Sequence, residues 1–484
     1  MPILTDILGI LALIFVVAAL ASGLVERTPV SFPMIFLGLG LLTGANGLGL
    51  IKVGLQDPAL EVVATLSLAF VFFLDAVNLH FEEIRKDWLV PVLSLGPGTL
   101  LTMLMITIAA GLLLGFPPLQ AMLVGAVLSS VDPVLLRDVA KDERIPRSIR
   151  ESLATEAGAN DMIVLPIVLL LQAIALNQGE TTGGWLIFLA RLFLLGPVSG
   201  FVVGWLGANM MKWVRRYTPI NRAYRAVYGV GVLFAAYFVG TSLGSSGFLA
   251  VFTAGVATAL FDYDLCDCFL EYGEITSEVA MLLAFLLFGS LLSTILGAVA
   301  LMPALLFALI TLAVVRPVAI GVVLRRASIS RQARLFIGWF GPRGLSSLLF
   351  GLLLVSSRVP GSEQVLAATG FVVIISVILH GISAAPLAVH YSQTVAKETL
   401  PEEREATATG LFAQSPAEIP RMTPQELADQ LGSPNPPIVL DVRSHSTYAH
   451  DDDQIPGSVR VTVDQVKEWA AGQSKDRDMV AYCT

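Results

Sequence analysis

A long series of apolar runs restricts the fold of this chain more than any other feature. Each run has about 20 residues, the length an α-helix needs to cross the hydrocarbon core of a bilayer. Because a bilayer offers no water to the backbone, such a run must satisfy its own hydrogen bonds as a helix. The composition agrees, since 55% of the 484 residues are hydrophobic and 14% are charged, as is typical of membrane proteins. We therefore predict an all-α polytopic membrane protein embedded in a lipid bilayer.

The apolar runs predict about thirteen transmembrane helices. Their approximate limits are 3–24, 30–50, 58–79, 89–114, 119–140, 151–176, 183–213, 224–243, 247–262, 275–294, 296–324, 332–357 and 363–393. The acidic excess behind the net charge of −8 lies after Glu398. This change in composition predicts a transmembrane domain at 1–395, a linker at 396–420 and a second domain at 421–484.

Basic residues predict the orientation of the helices. They gather in the loops after odd-numbered spans: Arg27; Arg85 and Lys86; Lys141, Arg144, Arg147 and Arg150; Arg215, Arg216, Arg222 and Arg225; Arg325, Arg326, Arg331 and Arg334. Such loops face the cytoplasm. We therefore predict a multi-pass protein of the cell (inner) membrane, with its N-terminus outside and its C-terminal domain in the cytoplasm. One odd-numbered loop, Phe261 to Glu274, is acidic and breaks this pattern.

The apolar segment from Glu151 to Leu171 contains Glu156, Asn160 and Asp161. A carboxylate inside a bilayer costs at least about 2.5 kcal/mol and persists where a partner, water or an ion compensates it. At helical spacing Glu156 and Asn160 share a face, whereas Asp161 points elsewhere. One carboxylate can then take a structural partner while the other faces a cavity. The alternative is a helix end whose polar residues only reach the lipid headgroups.

Two predicted spans are interrupted by proline. The fifth contains Ser129-Ser130-Val131-Asp132-Pro133, and the twelfth contains Gly341-Pro342-Arg343-Gly344-Leu345-Ser346-Ser347. Proline removes a helix donor and clashes with the preceding turn, which frees backbone groups. Broken helices at corresponding places indicate inverted repeats with an ion site near the midplane, where Asp132 and Arg343 would compensate the exposed helix ends. The alternative is that each proline only kinks a packed helix.

Further polar residues fall within the predicted spans. Asp75 is a ligand on an ion path or a residue at headgroup level, and Arg316 lies deep enough to need an acidic partner. Arg191 can extend its charge to the interface. The three histidines near span ends, His80, His380 and His390, are weak candidates for pH sensing.

These motifs together resemble the first family of monovalent cation:proton antiporters, the sodium/proton exchangers with an Asn-Asp pair. The matching stretches are Ser130-Val131-Asp132-Pro133, Glu156-Ala157-Gly158-Ala159-Asn160-Asp161, Ser246-Gly247-Phe248-Leu249-Ala250-Val251-Phe252, Arg316-Pro317 and Gly341-Pro342-Arg343-Gly344. They cover about residues 5–395 and occur in the family's order.

The resemblance implies thirteen helices, a dimerisation domain and a core in which two broken helices cross. It also implies that Asp161 alternately binds a proton and a cation, and that Glu156 pairs with Arg343. A transported Na⁺, with Li⁺ or K⁺ as alternatives, would be held by Asp161, Asp75 and the backbone carbonyl of Val131, beside Asn160. No other cofactor is expected, and the implied partner is a second copy of the chain.

Three positions depart from the family pattern. Val131 replaces a threonine but keeps the carbonyl that the family uses, and Asp75 stands where a glutamate is usual. Ala157 replaces a serine, which removes one hydroxyl from the Asp161 face. These departures leave Na⁺ and K⁺ both open as the transported cation.

The acidic tail resembles the rhodanese family. The matching residues are Leu440-Asp441-Val442-Arg443, Gln454-Ile455-Pro456-Gly457-Ser458 and Tyr482-Cys483, within a pattern of strand, helix and strand that predicts a partial α/β domain. In that family the cysteine after the strand accepts sulfane sulfur. Since the chain stops at Thr484, directly after Cys483, we expect the tail to be inactive here.

The sequence therefore predicts a secondary antiporter and not an enzyme. One alternative is a membrane-anchored sulfurtransferase, and another is a different transporter, such as a channel or an anion carrier. The interrupted helices argue against the first, and a carboxylate-centred site argues against anions. Nucleic-acid binding has no support, because the basic residues lie in loops between membrane spans and lack stacking aromatics. The pair Cys266 and Cys268 has no neighbouring histidine, so no metal site is expected there.

Overall fold

The computed structural model describes residues 2–25, 28, 30–78, 89–133, 135–136, 139, 142, 145–178, 182–218, 220–327, 329–397, 422, 424–432, 436–442, 454–461, 469–470 and 478–482. The chain forms two compact units, Met1–Glu402 and Glu403–Thr484.

The first unit is built from helices. In chain order they are α1 (Pro2–Val25), α2 (Phe32–Thr43), α3 (Pro58–Val77), α4 (Leu89–Leu114), α5 (Pro118–Val127), α6 (Arg147–Ala175), α7 (Gly183–Arg215), α8 (Arg222–Ser242), α9 (Gly247–Phe261), α10 (Tyr263–Ile295), α11 (Leu301–Arg326), α12 (Arg331–Trp339), α13 (Leu345–Ser356) and α14 (Ser362–Lys397).

Among the described residues, eight of these helices contain an apolar stretch long enough to cross a membrane: α3, α4, α6, α7, α8, α10, α11 and α14. Five shorter apolar helical stretches lie in α1, α2, α5, α9 and α13. The predicted helical polytopic fold is confirmed, whereas the count of thirteen spans stays a prediction.

The predicted loop from Phe261 to Glu274 is not a loop. Helix α9 ends at Phe261 and α10 begins at Tyr263, so only Asp262 separates the two helices. The carboxylate of Asp262 is buried and accepts two hydrogen bonds from Arg215 Nη2, at 2.6 and 2.7 Å. The predicted loop was wrong because polar residues end an apolar run without ending the helix.

Three long helices widen into π-helical turns next to a proline. The widened turns are Ser94–Gly98 in α4, which contains Pro97, Arg191–Leu195 in α7, which precedes Pro197, and Thr311–Val315 in α11, which precedes Pro317. A proline cannot donate to the preceding turn, and a wider turn accommodates both the missing hydrogen bond and the bulk of the ring. The helices therefore continue past their prolines.

The two predicted interruptions are present as breaks in helices. Helix α5 ends at Val127 and the chain leaves the helix from Ser130 to Asp132. Helix α12 ends at Trp339, and α13 begins only at Leu345. Both breaks are buried.

The second unit contains a short helix and a parallel sheet. Helix α15 (Pro424–Leu431) precedes strands β1 (Ile438–Asp441), β2 (Val459–Arg460) and β3 (Met479–Tyr482). The strand order is β2-β1-β3, with Leu440 opposite Val459 and opposite Ala481. The two predicted strands are present. The likeness to rhodanese stays a prediction, and Cys483 lies outside the described residues, as do the side chains of Cys266 and Cys268.

Glycines allow α2 and α10 to cross in backbone contact. A Cβ atom added at Gly40 would lie 2.8 Å from the Cα atom of Gly289 and would also collide with the Leu286 carbonyl oxygen. A Cβ atom at Gly38, on the same helix, would meet no atom within 4 Å. Small residues at such a crossing bring two helices together without a polar contact.

We expect Gly40→Ala to destabilise the protein, because its methyl group would force the two backbones apart. Overpacking of this kind costs about 1–3 kcal/mol. Gly38→Ala is the matched control and should be neutral or slightly stabilising, since alanine favours a helix over glycine. Thermal unfolding of the purified variants in detergent measures the difference. Equal unfolding midpoints would contradict this account of the crossing.

Candidate functional site

The two breaks are joined by backbone and side-chain hydrogen bonds. The backbone N–H of Asp132 donates to the carbonyl of Pro342 at 2.9 Å. The Asp132 side chain turns to the start of α13, where its Oδ2 accepts from the N–H of Leu345 at 2.7 Å. A helix N-terminus carries partial positive charge and free N–H groups. Asp132 therefore caps a helix that begins within the protein interior.

Arg343 caps the C-terminal end of α5. Its guanidinium Nη1 donates to the carbonyls of Ser129 and Ser130, at 3.0 and 2.5 Å. These carbonyls have left the helix and carry the partial negative charge of its C-terminus. Each break thus supplies the charged side chain that the other break needs.

The glycines of the Gly-Pro-Arg-Gly motif make room for charged side chains. A Cβ atom at Gly344 would collide with the Asp132 carboxylate, and one at Gly341 would collide with the guanidinium of Arg316. Larger residues at either position would displace these charges. The motif therefore needs glycine because the charged side chains approach its backbone closely.

Arg316 is the partner of Glu156. Arg316 Nη2 lies 2.8 Å from Glu156 Oε1, and both side chains are almost fully buried. The same nitrogen contacts the carbonyls of Phe340 and Ile337, at 3.3 and 3.5 Å, at the C-terminal end of α12. Arg316 thus has the acidic partner predicted for it.

The predicted ion pair between Glu156 and Arg343 is corrected by this geometry. The guanidinium of Arg343 is directed at the α5 carbonyls, so Arg316 takes the place beside Glu156. The resemblance implied Arg343, whereas the structure places Arg316 beside Glu156. Sequence spacing alone does not decide which arginine is nearer to the acid.

Asp161 lies within this framework and is 1% exposed. Its Oδ1 accepts a hydrogen bond from the hydroxyl of Ser130, in the α5 break. Neighbouring Asn160 accepts from the N–H of Val131 at 3.2 Å and donates to the hydroxyl of Thr99 at 2.8 Å. The Asn-Asp pair therefore holds the α5 break with one side chain each.

Several buried carboxylate oxygens at this site are not in a well-aligned hydrogen bond. Within the part of the chain that the structure describes, they are Oδ2 of Asp75, both oxygens of Glu156, which is ion-paired with Arg316, and Oδ2 of Asp161, whose carboxylate also interacts with Ser346. Asp75 lies in α3 and interacts electrostatically with Asp161 and Asp132. Buried oxygens without donors are suited to bind a proton or a cation.

Sequence reasoning did not assign roles to Thr99 and Ser130. Ser130 stood within a quoted motif, and Thr99 belongs to an apolar helix that also buries Ser94 and Thr102. Three buried hydroxyls close to Pro97 are a signal that could have drawn attention to α4.

The histidines are placed differently from the predicted span ends. His380 is inside α14 and 3% exposed, whereas His390 is exposed and His80 lies outside the described residues. Arg191 is exposed at the widened turn of α7, as a side chain that reaches the interface should be.

Residues 11–390 match the family described as sodium/hydrogen exchanger, transmembrane. The chain belongs to this family. Its members move ions, so the chain is a transporter and not an enzyme.

Curated relatives and a solved structure agree with this assignment. The chain is 26% identical over 400 residues to the K⁺/H⁺ antiporter NhaP of Alkalimonas amylolytica, covering 82% of this chain and 68% of that protein. It is 26% identical over 379 residues to the K⁺/H⁺ antiporter NhaP2 of Shewanella oneidensis, covering 77% and 64%. The structure of the sodium proton antiporter MjNhaP1 from Methanocaldococcus jannaschii has the same fold, with a TM-score of 0.68 and 21% identity over 81% of this chain and all of the other.

We expect a double-mutant cycle to show strong coupling between Glu156 and Arg316. Removing one member of a buried ion pair costs about 3–5 kcal/mol because the other charge stays buried without its partner. Glu156→Gln and Arg316→Met should therefore each destabilise the protein, and the double variant should lose less than their sum.

The control is the same cycle between Glu156→Gln and Arg343→Met. Thermal unfolding in detergent gives both coupling energies. Our correction of the pairing would be wrong if Arg343 showed the larger coupling to Glu156.

Proposed function

We propose that the chain exchanges a monovalent cation for protons across the membrane, with Asp161 as the shared binding group. One observation carries the proposal: Asp161 is buried in an apolar helix, and among the described residues its carboxylate contacts the hydroxyls of Ser130 and Ser346 but forms no ion pair. Such a carboxylate is costly to bury unless a proton or a cation neutralises it. Membership of the exchanger family supports the same conclusion.

Competition at one carboxylate accounts for coupled exchange. A proton neutralises Asp161 covalently, while a cation neutralises it by coordination, so the two exclude each other. If the occupied site opens first to one side of the membrane and then to the other, each cation that crosses is replaced by protons. No energy source other than the two gradients is then required.

The proposed ligands are hard oxygen donors. They are the carboxylates of Asp161 and Asp75 and the backbone carbonyl of Val131, with Asn160 holding the segment that carries Val131. Oxygen ligands suit Na⁺, Li⁺ and K⁺ alike. We propose Na⁺ as the transported cation, and K⁺ is the alternative that the names of the two NhaP relatives support.

The arrangement in the membrane is part of the proposal. The distribution of basic residues supports an outer N-terminus and a cytoplasmic tail in the inner membrane, and the family resemblance supports a homodimer.

Asp161→Asn should abolish cation-dependent proton movement while leaving a folded protein. Asparagine has nearly the shape of aspartate but neither takes up a proton nor carries the charge that binds a cation. Fluorescence dequenching in everted vesicles, with Na⁺, Li⁺ and K⁺ added in turn, measures exchange and ranks the cations.

Glu363→Gln is the matched control, because this carboxylate is exposed in the first turn of α14. It should exchange like the natural chain. Residual exchange by Asp161→Asn above that of empty vesicles would refute the assignment of Asp161.

Ala157→Ser should shift the cation preference toward Na⁺. Ala157 is buried one turn before Asp161 on the same face of α6, so serine adds an oxygen close to the carboxylate. The more strongly hydrated Na⁺ gains more from an added ligand than K⁺ does, and we expect the ratio of the K⁺ to the Na⁺ KM to rise about threefold or more. Ala154→Ser, at an exposed position of the same helix, should leave the ratio unchanged. An unchanged ratio in both variants would exclude position 157 from the ion site.

A further inference from the structure

A chain of hydrogen bonds from α14 bridges the α12–α13 break. The N–H of Arg343 donates to the hydroxyl oxygen of Ser376 at 2.7 Å. That hydroxyl lies 3.1 Å from Nδ1 of His380, and Nε2 of His380 lies 3.1 Å from the carbonyl of Trp339. Ser376 and His380 both belong to α14, one turn apart. One turn of α14 thus contacts the last residue of α12 and the penultimate residue of the break.

Each ring nitrogen of His380 faces a carbonyl oxygen, since Nδ1 lies 3.0 Å from the Ser376 carbonyl and Nε2 lies 3.1 Å from the Trp339 carbonyl. A carbonyl can only accept, so the bond to Trp339 forms when Nε2 carries the hydrogen. Ser376 accepts from Arg343 and can then donate its own hydrogen to Nδ1. A neutral imidazole with its proton on Nε2 thus connects Arg343 to Trp339.

The hydroxyl of Thr369, on the same helix, provides a comparison with that of Ser376. Thr369 is buried two turns before Ser376, and its hydroxyl donates to the carbonyl of Val365, four residues earlier in α14. That bond stays within one helix and positions nothing else. Ser376 differs because its hydroxyl accepts from a backbone group of another element.

We propose that Ser376 and His380 are positioning residues for cation exchange. They fix the backbone at Arg343 and at Trp339, four residues earlier, so that the Arg343 guanidinium stays on the Ser129 and Ser130 carbonyls. Those carbonyls immediately precede Val131, and Ser130 also binds Asp161. The role of the pair rests on the proposed function, because it acts on the cation site through Arg343 and the α5 break.

The first test compares Ser376→Ala with Thr369→Val in reconstituted vesicles. Removing the Ser376 hydroxyl leaves the Arg343 N–H without its acceptor, so the ligands in the α5 break become less well ordered. We expect the cation KM to rise about fivefold to tenfold, as the loss of one or two buried hydrogen bonds implies. The maximal rate per folded protein should change less than twofold. A purely structural role would instead reduce the amount of folded protein and leave KM unchanged.

Two further variants keep the proposal testable if Ser376→Ala does not fold. Ser376→Thr retains the hydroxyl and should restore the natural KM. His380→Gln provides an amide in place of the ring and should raise KM as Ser376→Ala does. An unchanged KM in Ser376→Ala and His380→Gln would overturn the proposal.

Hydrogen exchange provides a readout that does not depend on transport. Peptides covering Phe340–Gly344 should exchange faster in Ser376→Ala than in the natural chain, while Thr369→Val should leave them unchanged. If the natural chain transported no cation, the proposed function would fail, and this measurement would still decide whether Ser376 orders the break. Equal exchange in this segment for all three proteins would overturn the positioning role itself.

Discussion

The structure depends on the reciprocal capping of two helix breaks. Asp132, from the α5 break, accepts from the first N–H of α13, and Arg343, from the α12–α13 break, donates to the last carbonyls of α5. Free helix ends in an apolar interior are otherwise costly, because no water can satisfy them. Each charge is neutralised by a helix end and each helix end by a charge. Neither break is stable in this form without the other, which holds the non-helical backbone beside Asp161 in one place.

Neutral groups bring the capped breaks to the exchange carboxylate. Ser130 binds Asp161 directly, while Asn160 ties Val131 to Thr99 of α4. Hydroxyls and amides suit this role, because they hold a geometry without adding a charge that would compete with the cation. Arg316, in turn, pairs with Glu156 and caps α12. Neutral side chains therefore define the shape of the site, while the carboxylate of Asp161 is the group proposed to bind a proton or a cation.

Local chemistry explains which parts could be predicted from sequence. Both interruptions could be located before any coordinates, from Asp132-Pro133 and from Gly341-Pro342-Arg343-Gly344. Proline beside an arginine does not suffice, since α11 continues past Arg316-Pro317. The partner of Glu156 could not be predicted from the sequence, because it depends on how α11 is rotated against α6. The contact of Thr99 with Asn160 could not be predicted either, because a single hydroxyl in a helix more often bonds its own backbone. The polar stretch from Phe261 to Glu274 predicts a loop, because polarity alone does not distinguish a loop from a polar stretch of helix.

The widened turn at Thr311–Val315 determines where Arg316 can point. A π-helical turn inserts one residue into the α-helical repeat, and one residue changes direction around a helix by about 100°. The arginine follows this turn directly. The contact of Arg316 with Glu156 therefore depends on two things: the residue must be an arginine, and the widened turn must rotate the second half of α11 by the right angle relative to the first. A relative could keep this arginine and lose the ion pair through a deletion of one residue in the preceding turn, a change that comparison of the charged positions alone would not reveal.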